Sequence, residues 1–262
     1  MKLAEVIEAI TGQISTLGAE QSVTEFVIDS RRAVPGCLFI ALAGEKQHGH
    51  AFIDDAFRAG AVAAIVEDDL AIECQHLDLR QGGARLPAAL TLPVCLRVAS
   101  SLKALQDMAI FWRAKHDLRV IGITGSVGKT STKELVAAVL ARRYKTLRSQ
   151  GSYNNEIGLP LTLLQLTPAH ERLVLEMGMY DVGEISDLAR IARPDVGVVT
   201  NVGPVHLERA GSMERIAQAK SELVQALPSD GVAILNYDDR LVRAMAEETL
   251  TLLAAAQSAE AD

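Results

Sequence analysis

The sequence predicts an α/β protein, with a small N-terminal α/β domain followed by a larger domain built on a mostly parallel sheet. Three observations lead there. From residue 119 onward apolar runs alternate with amphipathic helical patterns. The runs are apolar almost without interruption, as in strands covered by helices on both faces. The first of them, Val120-Ile121-Gly122-Ile123, passes through a glycine-rich turn straight into a helical pattern.

The elements follow in order. In residues 1–98 a first helix carries Leu3, Val6, Ile7 and Ile10, and strands are predicted at 26–28 and 38–42. A helix with Phe52, Ile53, Ala56 and Phe57 precedes a buried strand at 61–66. Residues 67–93, with Gln81-Gly82-Gly83 and two prolines, read as an irregular excursion before a strand at 94–98. A helix over 101–115 opens the second domain, 99–262. There strands are predicted at 120–123, 173–176, 196–200 and 232–235, and helices at 129–142, 157–166, 184–191 and 213–227.

Composition narrows the function. The 262 residues are 49% hydrophobic, enough to bury the cores of two domains. Lys and Arg number 26 against 33 Asp and Glu, a net charge of −7, and no basic block tracks a nucleic-acid backbone. No apolar stretch approaches the roughly 18–20 residues of a membrane span. The N-terminus reads as an acidic amphipathic helix and not as a signal peptide. Cys37, Cys74 and Cys95 are odd in number and lack CxxC spacing, so they are expected to be reduced, forming neither a disulfide framework nor a zinc site. A cytoplasmic protein is expected.

Ligands of parallel sheets sit beyond the carboxyl ends of the strands, so the residues there are the site candidates. After the first strand comes Thr124-Gly125-Ser126-Val127-Gly128-Lys129-Thr130-Ser131. Its glycines let backbone N–H groups face phosphate oxygens, Lys129 supplies a point charge and Thr130 can ligate Mg²⁺. Ile123 stands where the usual pattern has its first glycine, so a plain glycine-rich turn stays open on these residues alone. Glu176 ends the second strand, where it is either a solvated carboxylate or a Mg²⁺ ligand near the loop. His206 follows the third strand, and Asn236 and Asp239 follow the fourth.

Lys220 is the awkward residue. On the helix capped by Ser212 it falls with Ile216, Leu223, Val224 and Leu227 inside roughly a 100° arc. An unpaired ammonium there is costly, so it snorkels to the edge, finds a partner, or is modified. Asn154 and Asn155 precede a helix start, where they either cap the turn or bind a substrate phosphate or carboxylate. Ser30 and Arg31 follow a strand of the first domain and suit a diphosphate, Arg through bidentate hydrogen bonds.

Together these segments resemble the Mur ligase family. The likeness runs through Asp29-Ser30-Arg31 with Pro35-Gly36-Cys37-Leu38-Phe39, the phosphate loop continuing into Thr132-Lys133-Glu134, and Asn154-Asn155-Glu156-Ile157-Gly158-Leu159-Pro160. It continues through Glu176-Met177-Gly178, Gly183-Glu184-Ile185, Asn201-Val202-Gly203-Pro204-Val205-His206, Ala219-Lys220 and Asn236-Tyr237-Asp238-Asp239. The resemblance implies a UDP-sugar-binding first domain, with Ser30 and Arg31 facing that ligand, and a central ATP-binding domain. Lys129 and the loop amides then hold ATP, and Thr130 with Glu176 binds one Mg²⁺. His206 is implied as ligand of a second Mg²⁺, Lys220 as a carbamylated lysine serving the metal, and Asn236 and Asp239 as contacts to adenine and ribose.

The implied reaction joins D-alanyl-D-alanine to UDP-N-acetylmuramoyl-tripeptide through an acyl phosphate, in cytoplasmic peptidoglycan precursor synthesis, by a monomer. Sister enzymes adding one amino acid, including folylpolyglutamate-type ligases, are the rival enzymes. A non-catalytic remnant that kept its nucleotide motifs is the rival of another class. Two departures stand out. His48 replaces the family's usual Asp, and the sequence runs into an Ala-rich stretch, 250–262, that resembles nothing in the family. It is therefore expected to be a fragment or truncated product that recognises UDP-sugar and ATP without completing ligation by itself.

Overall fold

The computed structural model describes residues 1–43, 49–69, 71–80, 86–205, 211–248 and 252–255. The chain divides into two compact units, Met1–Trp112 and Arg113–Asp262.

In the first unit, β1 (Phe26–Val27), β2 (Leu38–Ile40), β3 (Ala63–Val66), β4 (Gln75–Asp78) and β5 (Val94–Arg97) form a parallel sheet in the order β1-β2-β3-β5-β4. The middle strands β2 and β3 are buried at every residue, which is why they read as unbroken apolar runs. Helix α1 (Leu3–Thr11) buries Leu3, Ala4, Val6 and Ile7, and Gly12 ends it in the left-handed conformation. Helix α2 (Ile53–Arg58) sends Ile53 and Ala56 into a core with Phe39, Ala41, Ala64, Val66 and Cys95. Helix α3 (Ser101–Ala114) closes the unit.

Strand β4 lies within the stretch expected to be irregular. It is an edge strand whose one inward residue is Leu77, flanked by the polar Gln75, His76 and Asp78, so its apolar signal is a single residue.

The second unit runs β6 (Arg119–Thr124), α4 (Lys129–Leu140), β7 (Thr146–Arg148), α5 (Gly158–Leu163), β8 (Arg172–Glu176), α6 (Glu184–Ala192), β9 (Val196–Val199), α7 (Met213–Gln225), β10 (Val232–Asn236), α8 (Arg240–Ala244) and β11 (Leu252–Ala255). All six strands are parallel, in the order β11-β10-β9-β6-β8-β7. Strand β6 is therefore flanked by two strands that come later in the sequence. Register aligns Ile123 with Glu176 and Thr124 with Val199, so the residues after these strands emerge side by side.

Two short edge strands, β7 and β11, are additions to the sequence expectation. Helix α5 is shorter than expected because its end tightens: Gln165 N–H donates to Thr162 and Leu166 N–H to Leu163, three residues back.

Helices α6 and α7 are joined by one buried carboxylate. Glu222 of α7 accepts from Gly183 N–H at 2.6 Å and Ser186 N–H at 2.9 Å, capping the first turn of α6 from outside that helix. A negative charge at this end suits both the free N–H groups and the helix dipole. Replacing Glu222 by Ala strands two donors and is expected to cost about 2 kcal/mol. Urea unfolding of Glu222→Ala checks this, and an unchanged midpoint with an unchanged slope would refute the capping role.

Candidate functional site

The turn between β6 and α4 needs its two glycines for different reasons. Gly125 has φ of +147°, and a Cβ there would come within 1.9 Å of Thr200 Oγ1. Gly128 has φ of +86° with open space around it, so its demand is on the backbone. The loop is fastened to the segment after β9. Ser126 N–H donates to the Asn201 carbonyl at 3.0 Å, and Val127 N–H to Asn201 Oδ1 at 2.9 Å. Ser126 Oγ accepts from Gly203 N–H at 2.8 Å and donates to the Gly203 carbonyl at 3.0 Å. Thr200 Oγ1 and Asn201 Nδ2 both donate to the Val127 carbonyl, at 2.7 and 2.9 Å. The next N–H groups open helix α4 and have no acceptor within it, which makes an anion site.

Glu176 is 2% exposed, so the solvated-carboxylate reading does not hold. Thr130 Oγ1 donates to its Oε2 at 2.8 Å and Asn154 Nδ2 to its Oε1 at 2.8 Å. Its own N–H donates to Ser149 Oγ at 3.2 Å, and Gly178 N–H donates to the Asn154 carbonyl at 2.8 Å. A carboxylate held from both sides and next to the loop has the oxygen chemistry a hard divalent cation takes.

Two lysines face this carboxylate's neighbourhood. Lys129 Nζ donates to the carbonyls of Gly125 at 2.8 Å and Ser126 at 3.3 Å, and burial pulls its pKa below the ordinary lysine value, partly opposed by Glu176. Lys220 is 3% exposed and therefore does not snorkel. Its pKa falls to about 8, first through burial and then through repulsion by Lys129. Among the described residues its ammonium has no hydrogen-bond or ion-pair partner. Two ammonium groups close enough to repel each other, beside free helix N–H groups, suit a polyanion.

Asn236 and Asp239 serve the same loop system. Asn236 Nδ2 donates to the Thr200 carbonyl at 2.9 Å. Asp239 Oδ2 accepts from Val202 N–H at 2.8 Å while its Oδ1 caps α8 through Leu241 and Val242. Thr124 Oγ1 is buried and, among the described residues, without a hydrogen-bond partner, a cost that a bound polar group would remove. Ser131 is exposed on the first turn of α4. Asn155 Oδ1 accepts from Gly158 N–H at 2.9 Å and caps α5, whereas Asn154 turns to Glu176. His206 lies outside the described residues, as does His48.

In the first unit, Ser30 and Arg31 form a short 3₁₀ turn after β1. Arg31 is clamped on Asp29, with Nε at 2.9 Å and Nη2 at 2.7 Å, and holds that carboxyl down at about 2.

The site also contains residues to which sequence reasoning gave no role. Ser149 is buried under Glu176, and Asn201 fixes the phosphate loop. Lys133 is 0% exposed, with Nζ donating to the Gly151 carbonyl at 3.1 Å and pairing with Glu134 at 3.2 Å. It ties α4 to the segment leading to Asn154. Its sequence signal was a lysine on the turn of α4 that faces the sheet.

Comparisons with known proteins agree with this geometry. The family model described as "Mur ligase middle domain" matches residues 123–262, and "Mur ligase family, catalytic domain" matches residues 22–113. The UDP-N-acetylmuramoyl-tripeptide–D-alanyl-D-alanine ligase of Synechocystis sp. is 39% identical over 241 residues, covering 92% of this chain and 50% of that protein. The crystal structure of MurF from Acinetobacter baumannii superposes with a TM-score of 0.80 at 30% identity, over 96% of this chain and 52% of the other. MurF from Thermotoga maritima, solved in complex with ADP, gives a TM-score of 0.73 at 33% identity, over 88% and 49%. The chain thus spans about half the length of the relatives it matches.

Burial of Lys220 yields a pH-dependent prediction. Its folded pKa is depressed from 10.5 to about 8, so the buried charge costs stability fully below pH 8. The cost fades as pH rises from there toward 10.5, because the unfolded chain then also loses its proton. In carbonate-free buffer Lys220→Met is expected to be more stable at pH 7 by about 2–3 kcal/mol, with the gain vanishing near pH 10.5. Denaturant midpoints at both pH values check it, and a gain independent of pH would contradict it.

Proposed function

The chain belongs to the Mur ligase family, and we propose that it carries the UDP-sugar-binding and ATP-binding parts of a ligase joining D-alanyl-D-alanine to UDP-N-acetylmuramoyl-tripeptide. The observation that carries this reading is the grip of Thr130 and Asn154 on buried Glu176, beside a phosphate loop with Lys129 and Lys220. That is equipment for a nucleotide triphosphate with its cation. It belongs to cytoplasmic synthesis of the cell-wall precursor.

The reaction needs ATP because a free carboxylate has no adequate leaving group. The γ-phosphoryl group passes to the terminal carboxylate of the UDP-linked peptide, and the ADP oxygen leaves. The amine of the incoming dipeptide then attacks the acyl carbon, and phosphate departs. Lys129 and the first N–H groups of α4 hold the phosphates and the charge that develops on them. Thr130 and Glu176 would hold one Mg²⁺ and His206 a second, with Lys220 serving the metal once carbamylated; the ions would neutralise phosphate charge. Asn154 orients Glu176, while Asn236 and Asp239 would meet the nucleoside, and Ser30 and Arg31 the UDP-sugar.

Lys220 suits carbamylation on physical grounds. A lysine titrating at about 8 presents a fraction of neutral amine at neutral pH. That lone pair adds to CO₂, forming an N–C bond and releasing a proton. The product is an anion, which exchanges repulsion from Lys129 for attraction.

Titration with Mg·ADP and with UDP-N-acetylmuramoyl-tripeptide tests the assignment. Both are expected to bind, and Lys129→Ala is expected to weaken the nucleotide by about tenfold or more while leaving the UDP-sugar peptide unaffected. Failure of wild type to bind nucleotide would overturn the reading. With ATP and D-alanyl-D-alanine supplied to the whole ligase, the product mass decides the acceptor: a gain of one dipeptide supports it, and a gain of one residue points to a sister ligase.

A further inference from the structure

The three cysteines carry no CxxC spacing, yet two of them meet a histidine in space. His76 pairs with Cys95 across β4 and β5, and Cys74 lies just before β4, two residues from His76. Cys74 Sγ lies 3.6 Å from His76 Nε2 and 3.0 Å from Cys95 Sγ, and the three donor atoms all fall within 4.8 Å of one another. We propose that Cys74, His76 and Cys95 form a binding site for a thiophilic d¹⁰ cation of the zinc class, with solvent in the fourth position.

The distances suit that ion. A tetrahedral zinc with Zn–S of about 2.3 Å and Zn–N of about 2.0–2.1 Å separates sulfur from nitrogen by about 3.6 Å and sulfur from sulfur by about 3.8 Å. Cys74 Sγ and His76 Nε2 already stand at the first separation, Cys95 lies within 4.8 Å of the imidazole, and the second separation requires the sulfurs to part by under about 1 Å. Cys74 is half-buried and His76 exposed, so their side chains are free to make that adjustment. Cys95 is fully buried and serves as the fixed anchor, backed by Ala56, Ala64 and Ile72. The donor set is soft, two sulfurs and an imidazole, which excludes Mg²⁺ and Ca²⁺.

A direct Cys74–Cys95 bond is the rival, since the two sulfurs lie 3.0 Å apart, and peptide mapping of metal-free protein decides between them. A bound ion would fasten edge strand β4 to β5.

The test is a Cd²⁺ titration of the reduced, chelator-stripped protein without oxygen. A thiolate-to-metal charge-transfer band saturating at about one equivalent per chain is expected, displaced by Zn²⁺. Cys74→Ser should abolish the saturating band, and His76→Ala should weaken Zn²⁺ binding by about tenfold or more. Both changes are at an edge strand, and circular dichroism verifies that the fold persists. No saturating band in wild type overturns the proposal. So does a band that survives the Cys74→Ser/His76→Ala pair, or a Cys74–Cys95 disulfide found by peptide mapping in protein that takes up no metal.

Discussion

The parallel register of β6 between β8 and β9 is the constraint on which the second unit depends. It sets Ile123 opposite Glu176 and Thr124 opposite Val199. The phosphate loop, the Glu176 carboxylate and the Thr200–Asn201 segment therefore leave the sheet together. Each then completes another: Thr200 and Asn201 hold the loop, the helix that follows the loop supplies Thr130, and Thr130 holds Glu176. A slip of one residue would turn Glu176 to the other face of the sheet and undo the set. Covering helices on both faces make that slip costly, because the buried residues of β6 and β8 before Thr124 and Glu176 are apolar.

Charge is distributed unevenly around this set. Glu176 accepts from neutral donors, Thr130 and Asn154, and among the described residues no cation hydrogen-bonds to it. Lys129 and Lys220 are left to repel each other. An arrangement of this kind costs folding stability, the balance expected where a site is arranged for function and not for stability. Lys133 contrasts with both, since its buried ammonium is paired with a carbonyl and a carboxylate and so serves structure.

Much of this was legible in the sequence. The strands flanking the site are apolar runs, and the residues after them are polar and distinctive, so strand-end reasoning pointed to the loop, Glu176, Asn236 and Asp239. The helical spacing placed Lys220 among Ile216, Leu223 and Val224, and of the alternatives it left open the snorkelling one fails, since the residue is buried. Edge strands were not legible: β4 has one inward apolar residue, and β7 spans three residues. Ser149 and the Cys74–His76–Cys95 group were hidden for a related reason. Their partners come from other strands, and spacing along the chain carries no trace of pairing across a sheet.

The contact between Gly125 and Thr200 has an entropic meaning. Because the loop has no room for even a methyl group there, and Ser126 is locked to Gly203 in both directions, its conformation is settled when the domain folds. Under the proposed function, the entropy of ordering this loop is lost during folding, and not again at each binding event.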